Sequence, residues 1–557
     1  MPGRYSEKAD LNPDRITFRF WPQGFTFARL FSFIMAGDLP LKNTQSNQNQ
    51  SLVPALLATG LLALAYFAYS FKSKGFYQQD EANHFLSMLR FWYDPKAIMG
   101  NWAKPGYKIL YVLTVLGGQK LVIFQNCLLA AFSCFFAWLS ARKLGSANPW
   151  IAFILLASQP LWISLSFRNY SEFPTAFLLS LGFYFYTSEK MTPAAVLAGL
   201  VCTIRQEFYP IAAVLGVYLL YRKYWLAAFS IALFPVLQNL AGYLLFGDPF
   251  YLVNQIMGTS ETLKDAYRRM GFEHYFLTSA VVFGPVALTL FVVYLGQMFV
   301  SKKVGQPALL VATLGYFLLN CLFQMESVSI GPATGGNLRY MCIISPLIAV
   351  AGALAVDQMK MLPEKFKLAY ILVPFLILVG IFMTYQHNFL TLTEESDNIP
   401  LVGALFASVL IFIPIPTTIQ TVVFGVICAF LALVNVKSIK LSPEDKICKE
   451  VAEYYKANEA TFKGKPLYNT HIMFYYFLGK VENQFNPKPI VISDTATLEK
   501  APVGSLIFWE NHYGYRPNYK TGLPYEYFAN SGRYRQLQVF QAEQSGFAYV
   551  IFEKEKP

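Results

Sequence analysis

The sequence predicts an α-helical polytopic membrane protein, with about 13 transmembrane helices, that ends in a C-terminal soluble α/β domain. Three observations predict it. Of the 557 residues, 55% are hydrophobic and only 14% charged, with a mean hydropathy of +0.37, too apolar for an ordinary soluble enzyme. Apolar runs long enough to cross roughly 30 Å of hydrocarbon recur from residue 52 to residue 435. Beyond Asn435 that pattern stops and short β-like runs replace it.

The formal net charge of +12 does not point to nucleic acid. Lys and Arg sit mostly in short segments between apolar runs, where topology explains them. The cysteines, Cys127, Cys134, Cys202, Cys321, Cys342, Cys428 and Cys448, lie nearly all inside apolar runs and form no C-x-x-C pair. They read as small hydrophobes, so neither a disulfide framework nor a zinc site is indicated. No repeat of fixed period is visible.

Residues 1–50 are polar and basic, with Arg4, Lys8, Arg15, Arg19, Arg29 and Lys42 and no clean signal peptide, and read as a cytoplasmic N-terminal arm. Residues 51–437 read as the transmembrane domain, with a first span at 52–71 and a first outer loop at 72–117. That loop contains Gln78-Gln79-Asp80-Glu81-Ala82-Asn83-His84. Phe85, Met88, Leu89 and Trp92 follow near helical period, which predicts a short helix opening at Asp80 and lying in the headgroup plane. Further spans are expected at 118–140, 149–167, 172–187, 192–208, 210–221, 225–246, 276–300, 307–324, 339–357, 368–385, 400–413 and 417–435.

With a cytoplasmic N-terminus, the inner turns carry Arg142-Lys143, Lys190, Arg222-Lys223, Lys302-Lys303 and Lys360, Lys365 and Lys367, which obeys the positive-inside rule. Asp80-Glu81, the loop after Arg168, the 247–275 and 325–338 loops and the whole C-terminus then lie outside. The exceptions are Lys72, Lys74, Lys96, Lys104, Arg168, Arg205, Lys264, Arg268, Arg269 and Arg339. Basic residues against the topological preference need a reason, and a bound anion supplies one.

Residues 438–557 read as a non-cytoplasmic α/β domain. Ser442-Pro443-Glu444-Asp445 is a helix start, with the helix running to about Asn458. Strands are expected at 489–493, 505–509, 537–540 and 548–552. The loop Trp509 to Arg516 follows a strand and suits sugar or peptide contact; a structural turn is the commoner use of such a composition.

Several charged elements invite a chemical reading, each beside a plainer one. Asp80 is either a helix cap or a general base at the bilayer edge. Glu81 and His84 spell Glu-x-x-His, but di-metal bundles need two copies and only one exists, so no metal is expected and His84 reads as a hydrogen-bond partner of a carboxylate or of substrate. Arg168 and Glu172, four apart, pair with each other or leave the guanidinium for a phosphate. Arg205 and Glu207 neutralise each other or line a cavity that the helix break at Pro210 permits. Arg339, after the Gly-rich stretch Gly331 to Gly336, either anchors at the interface or holds a phosphate at a helix start; no Walker spacing is present.

Taken together, these elements resemble the GT-C superfamily of membrane glycosyltransferases, in particular the protein O-mannosyltransferases and the lipid A aminoarabinose transferase. The resemblance rests on the acidic pair in the first outer loop, the Arg-x-x-x-Glu element at Arg168 and the Arg-Gln-Glu insertion at Arg205. The Gly-Gly-Asn-Leu-Arg-Tyr entry to a late span and the outward α/β domain complete it. It implies an inverting transfer from a polyprenyl-phosphate sugar to a lipid, glycan or protein hydroxyl on the non-cytoplasmic face. By match to the motif, Asp80 is the catalytic base and Glu81 positions acceptor or sugar. Arg205 and Arg339, with Lys104 and Arg168, are donor-phosphate partners, and His84, Glu172, Glu207 and Tyr340 are substrate contacts. The sequence departs from the family pattern in its Gln78-Gln79 pair and its Asn101-Trp102-Ala103-Lys104-Pro105 element, which leave the acceptor open.

No cofactor beyond the lipid-linked sugar is expected, and metal dependence is not. A bacterial inner membrane with the site facing the periplasm is the expected location, with the endoplasmic reticulum lumen as the alternative. The competing class is a transporter or flippase of a lipid-linked anion, whose matched broken repeats are not detected. A third is an assembly subunit in which the charges merely pair.

Overall fold

The computed structural model describes residues 51–72, 79–100, 104–262, 268–301, 306–325, 335–360, a few positions between 368 and 376, 417–435 and 440–557, the last without residues 493, 517–520 and 544. The N-terminal arm, most of the span expected at 368–385 and all of the one at 400–413 lie outside the described residues.

The apolar runs form helices where their hydropathy places them: α1 (Val53–Ser70), α3 (Gln119–Lys143), α4 (Trp150–Ala157), α5 (Glu172–Thr187), α6 (Met191–Ile204), α7 (Tyr209–Tyr221), α8 (Leu233–Phe246), α9 (His274–Phe283), α10 (Pro285–Ser301), α11 (Ser345–Lys360) and α12 (Thr417–Asn435). The polar helix α2 (Gln79–Arg90) lies between the first two. Among the described residues, four stretches are long and apolar enough to cross a membrane: Val53–Ser70, Gln119–Lys143, Trp225–Phe246 and Leu338–Met359. Shorter apolar helices accompany them, and the chain is an integral membrane protein.

Two expected spans are broken. The run at 149–167 divides at Gln159-Pro160 into α4 and a short helix, Pro160–Leu165, because proline has no N–H to continue the ladder. The run at 276–300 divides at Gly284, whose φ of 74° ends α9 just before Pro285 opens α10.

Burial separates the axis of the bundle from its rim. The Leu338–Met359 stretch is 83% buried, whereas Trp225–Phe246 is 11% buried and turns its apolar side chains outward, as lipid contact requires. α11 packs against α10, α4 and α3. Its buried Ala349, Ala351, Ala353 and Ala355 let neighbouring backbones approach closely. α5 and α6 pack as an antiparallel pair, so the start of α5 and the end of α6 share one end of the bundle. The turn at Ser188–Lys190 and the Arg222-Lys223 end of α7 lie at the other.

The C-terminal residues build an α/β unit. Ser442 caps α13 (Pro443–Ala457), its hydroxyl accepting the Asp445 N–H at 3.0 Å, with Pro443 in the first turn as the sequence predicts. A four-stranded sheet runs in the order β1-β2-β6-β5, from β1 (Leu467–Asn469), β2 (Leu506–Glu510), β5 (Tyr534–Ala542) and β6 (Phe547–Lys554). β1 is parallel to β2 and the other pairs are antiparallel; β3 (Tyr515–Arg516) and β4 (Thr521–Gly522) form a separate ribbon. The expected strand at 489–493 is reduced to one bridge between Ile490 and Tyr468, since Pro487 and Pro489 withhold the donors a ladder needs.

Helix α2 corrects one expectation. It buries Ala82, Phe85, Leu86 and Met88, but not against lipid. Its apolar side is covered by α14 (Ile472–Leu478), where Phe85 meets Tyr476 edge to face, and Arg90 grips Glu482 through two bonds of 2.5 and 2.6 Å. The C-terminal unit therefore holds the helix that carries Asp80.

Close approach at Gly199 of α6 makes a direct test of this packing. A Cβ there would stand 2.1 Å from the Ile231 carbonyl oxygen, a backbone atom that cannot yield alone. Gly199→Ala is expected to cost about 1–3 kcal/mol through overpacking. A Cβ at Gly216 would meet only Ile231 Cδ1 at 3.5 Å, so Gly216→Ala is expected to be near neutral. Thermal melting of the detergent-purified variants checks both.

Candidate functional site

The site forms where the first turn of α2 meets the loop before α5, the end of α6 and the entry to α11. Asp80 and Glu81 occupy the first turn of α2, where the helix dipole favours carboxylates. Adjacent residues on a helix point about 100° apart, and these two have opposite fates. Glu81 is fully buried. Its Oε2 accepts from Arg168 Nη2 at 2.5 Å and Nε at 3.1 Å, and its Oε1 accepts the Asn169 N–H at 3.0 Å. Asn169 also donates its amide to the Glu81 carbonyl at 3.0 Å and accepts from the buried Tyr107 hydroxyl at 2.6 Å. Asp80 keeps 45% of its side chain exposed and accepts from Arg339 Nη2 at 3.1 Å.

Arg339 leads inward. Its Nε lies 3.2 Å from Glu172 Oε1, the same oxygen that Arg205 Nη2 grips. Glu172 and Arg205 are almost fully buried. Glu207 stands at 3.7 Å from Arg205 Nη1. The Tyr340 ring lies under Arg205 at 4.3 Å and under Arg339 at 5.7 Å; Tyr170 lies under Arg339 at 4.1 Å. Arg339 is delivered by Gly335 and Gly336, both with positive φ, and by Asn337, whose side chain accepts the Arg339 N–H. A Cβ at Gly336 would strike His274 Nε2 at 2.4 Å, so the turn is fixed against α9.

Lys104 supplies a third cation. Its Nζ donates to Ser171 Oγ at 2.8 Å, and its backbone adopts a left-handed conformation with φ 53° ahead of Pro105. That conformation costs a non-glycine residue about 1–3 kcal/mol and is typical of functional positions. Burial, with Arg205 adding to it, lowers the Lys104 ammonium to about 7. His84 is buried edge-on to Tyr107; burial first, then Lys108, pushes its imidazole well below the usual range, so it is neutral.

Asp80, Arg339, Glu172, Arg205, Glu207, Lys104 and Tyr340 thus converge. Arg168 and Glu81 form a neighbouring pair that fixes α2 to the loop before α5, a positioning arrangement, not an open site. The local pairing of Arg168 with Glu172 gives way to these long-range partners, and Arg205 takes Glu172 more closely than Glu207. Glu81 and His84 do not belong to a metal-type cluster among the described residues. Three residues went unread in the sequence: Asn169, Tyr170 and Tyr107. The first two adjoin Arg168, where an amide and an aromatic ring inside a charged loop were the available signal; Tyr107 left none. With three cations around two inner carboxylates and the aromatic faces of Tyr170 and Tyr340 beneath the arginines, the arrangement suits an anion carried into a partly dry pocket.

Comparison with known proteins finds one family model and two solved structures. The model of Glycosyltransferase family 87 matches residues 109–346, short of half the chain, and spans Arg168, Glu172, Arg205, Glu207, Arg339 and Tyr340 but not Asp80. Two solved structures are similar to the chain: ArnT from Cupriavidus metallidurans bound to undecaprenyl phosphate, with a TM-score of 0.58, and the same protein in the apo state, with 0.55. In each, identity is 13%, and the match covers 90% of this chain and 98% of that one. No curated protein matches. The chain shares its fold with these structures.

Glu172→Gln would leave the buried Arg205 and the largely buried Arg339 without their shared anion. It is expected to destabilise the protein by about 3–5 kcal/mol, the usual result of removing one partner of a buried pair. A fall in the melting midpoint, measured without any substrate, checks it.

Proposed function

We propose that this GT-C-fold membrane protein is an inverting glycosyltransferase that moves a sugar from a polyprenyl-phosphate donor to a hydroxyl acceptor on the non-cytoplasmic face. The observation that carries the reading is the Asp80–Arg339 contact. It brings a half-exposed carboxylate to the edge of a cluster of cations that continues through Glu172 to Arg205 and Lys104. The basic ends Arg142-Lys143, Lys190 and Arg222-Lys223 lie at the opposite end of the bundle, which by the positive-inside rule supports a non-cytoplasmic site. An apolar pocket between α5, α6, α7 and α11, lined by Leu178, Phe183, Val201, Phe208, Ile211 and Leu347, suits an isoprenoid chain, and Arg205 lies in the chain between its lining residues Val201 and Phe208. The lipid that ArnT binds, undecaprenyl phosphate, has this chemistry.

The chemistry follows from the charges. A donor phosphate entering the cluster competes with Asp80 for Arg339, which frees Asp80 Oδ2 to accept the acceptor's hydroxyl proton. The acceptor oxygen bonds to the anomeric carbon from the face opposite the phosphate. The bond from that carbon to the phosphate oxygen breaks, and its electron pair stays on the lipid phosphate, where Arg205, Arg339 and Lys104 stabilise it. Inversion results from the single displacement. Glu81 acts by positioning α2 through Arg168 and Asn169.

Asp80→Asn is expected to lower transfer from a labelled polyprenyl-phosphate sugar by about 10²–10⁴-fold in proteoliposomes with the melting midpoint retained; full activity in that variant would defeat the assignment. Lys104 carries its charge below pH 7 and loses it as pH rises through about 7, so its grip on phosphate weakens in that direction. In the wild type, kcat/KM for the donor is expected to fall across that range, and Lys104→Arg, charged throughout, is expected to flatten the profile. An unchanged inflection in Lys104→Arg would remove Lys104 from the clamp.

A further inference from the structure

A second cluster of ligating side chains lies in the C-terminal unit. Glu444 sits in the first turn of α13, His471 caps α14, and His512 lies in the turn after β2. His471 Nε2 is 2.8 Å from Glu444 Oε1, and His512 Nδ1 is 2.8 and 3.0 Å from Glu444 Oε1 and Oε2. One atom from each residue lies within 4.8 Å of the other two. His471 is fully buried, while the His512 side chain is 43% exposed, so the cluster has a buried floor and an open side. Across from it, Gln79 Nε2 stands 2.7 Å from Glu444 Oε1 and 3.3 Å from His471 Nε2.

We propose that Glu444, His471 and His512 bind a divalent transition metal of the zinc class, and that the ion ties the C-terminal unit to the start of α2. Two imidazoles and one carboxylate are the donor set of three-ligand zinc sites that keep a fourth position open. Here that position faces Gln79, whose amide, turned by half a rotation, presents its oxygen in place of its nitrogen. The supporting structure is built as metal sites require. The Glu510 carboxylate accepts the His512 and Tyr513 N–H groups at 2.7 and 2.8 Å, which holds the His512 turn, and the Tyr513 ring stacks on His512 at 4.1 Å.

His471 Nδ1 accepts the Met473 N–H at 3.2 Å, which leaves Nε2 to donate to Glu444. The ion takes the place of this proton. The lone pair of Nε2 then faces the metal and the ring proton sits on Nδ1, which gives up the Met473 contact; the Cys448 sulfur lies alongside the ring, 3.5 Å from Nδ1 and 3.6 Å from Nε2. Because Gln79 is the residue before Asp80, an ion here fixes the end of α2 that carries the rim carboxylate. The inference is independent of sugar transfer, since metal content is read on the protein itself.

The test uses the full-length protein in detergent, stripped with EDTA and titrated with Zn²⁺, with bound metal counted by mass spectrometry and Co²⁺ substitution followed by visible absorption. About one Zn²⁺ per chain is expected, with a raised melting midpoint. His512→Ala, at an exposed position, and Glu444→Gln are each expected to weaken Zn²⁺ binding at least about 10-fold. Stripped wild type that takes up no more Zn²⁺ than His512→Ala, or that melts alike in Zn²⁺ and in EDTA, would overturn the proposal.

Discussion

A carboxylate almost fully out of water between two guanidiniums is the constraint on which the rest depends. Burying any one of Glu172, Arg205 and Arg339 alone would cost several kcal/mol, and each is tolerable only because the others arrive at the same place. They come from the start of α5, the end of α6 and the entry to α11. Satisfying the charges therefore fixes how these segments dock, and a packing that separated them would leave an uncompensated ion inside the bundle. The same network leaves cationic edges directed at Asp80, so the requirement that stabilises the fold also shapes the site.

Asp80 and Glu81 illustrate how one helical step divides two identical functional groups. Glu81 turns inward to Arg168 and Asn169 and is spent on holding α2 against the loop before α5. Asp80 stays at the rim, touching one guanidinium and remaining half exposed. The first arrangement makes the second reproducible: a base serves transfer only if the helix that presents it does not drift.

The C-terminal unit belongs to this arrangement. Arg90 and Glu482 join it to the far end of α2, and Gln79 and Glu444 join it to the near end. The helix is thus clasped at both ends by the α/β unit and held at its inner side by Arg168. Its polar composition, poor for membrane insertion and short for independent stability, is accounted for by those contacts.

The sequence by itself determined what depends on neighbours along the chain. Hydropathy summed over windows located the apolar helices among the described residues, the period of Phe85 and Met88 located α2, and Ser442-Pro443 located the start of α13. The strands at β2, β5 and β6 were legible from composition. Only the tertiary structure decided which charges meet. Arg168 and Glu172 are neighbours on paper and partners of other residues in space. The apolar side of α2 has the pattern of a lipid-facing helix and is covered by protein. Glu444, His471 and His512 carry no spacing that announces a cluster, being 27 and 68 positions apart from the glutamate. Helix and strand formation answer to local periodicity, whereas an ion pair answers to whichever opposite charge the packing brings into a dry interior, and that is set by all the helices at once.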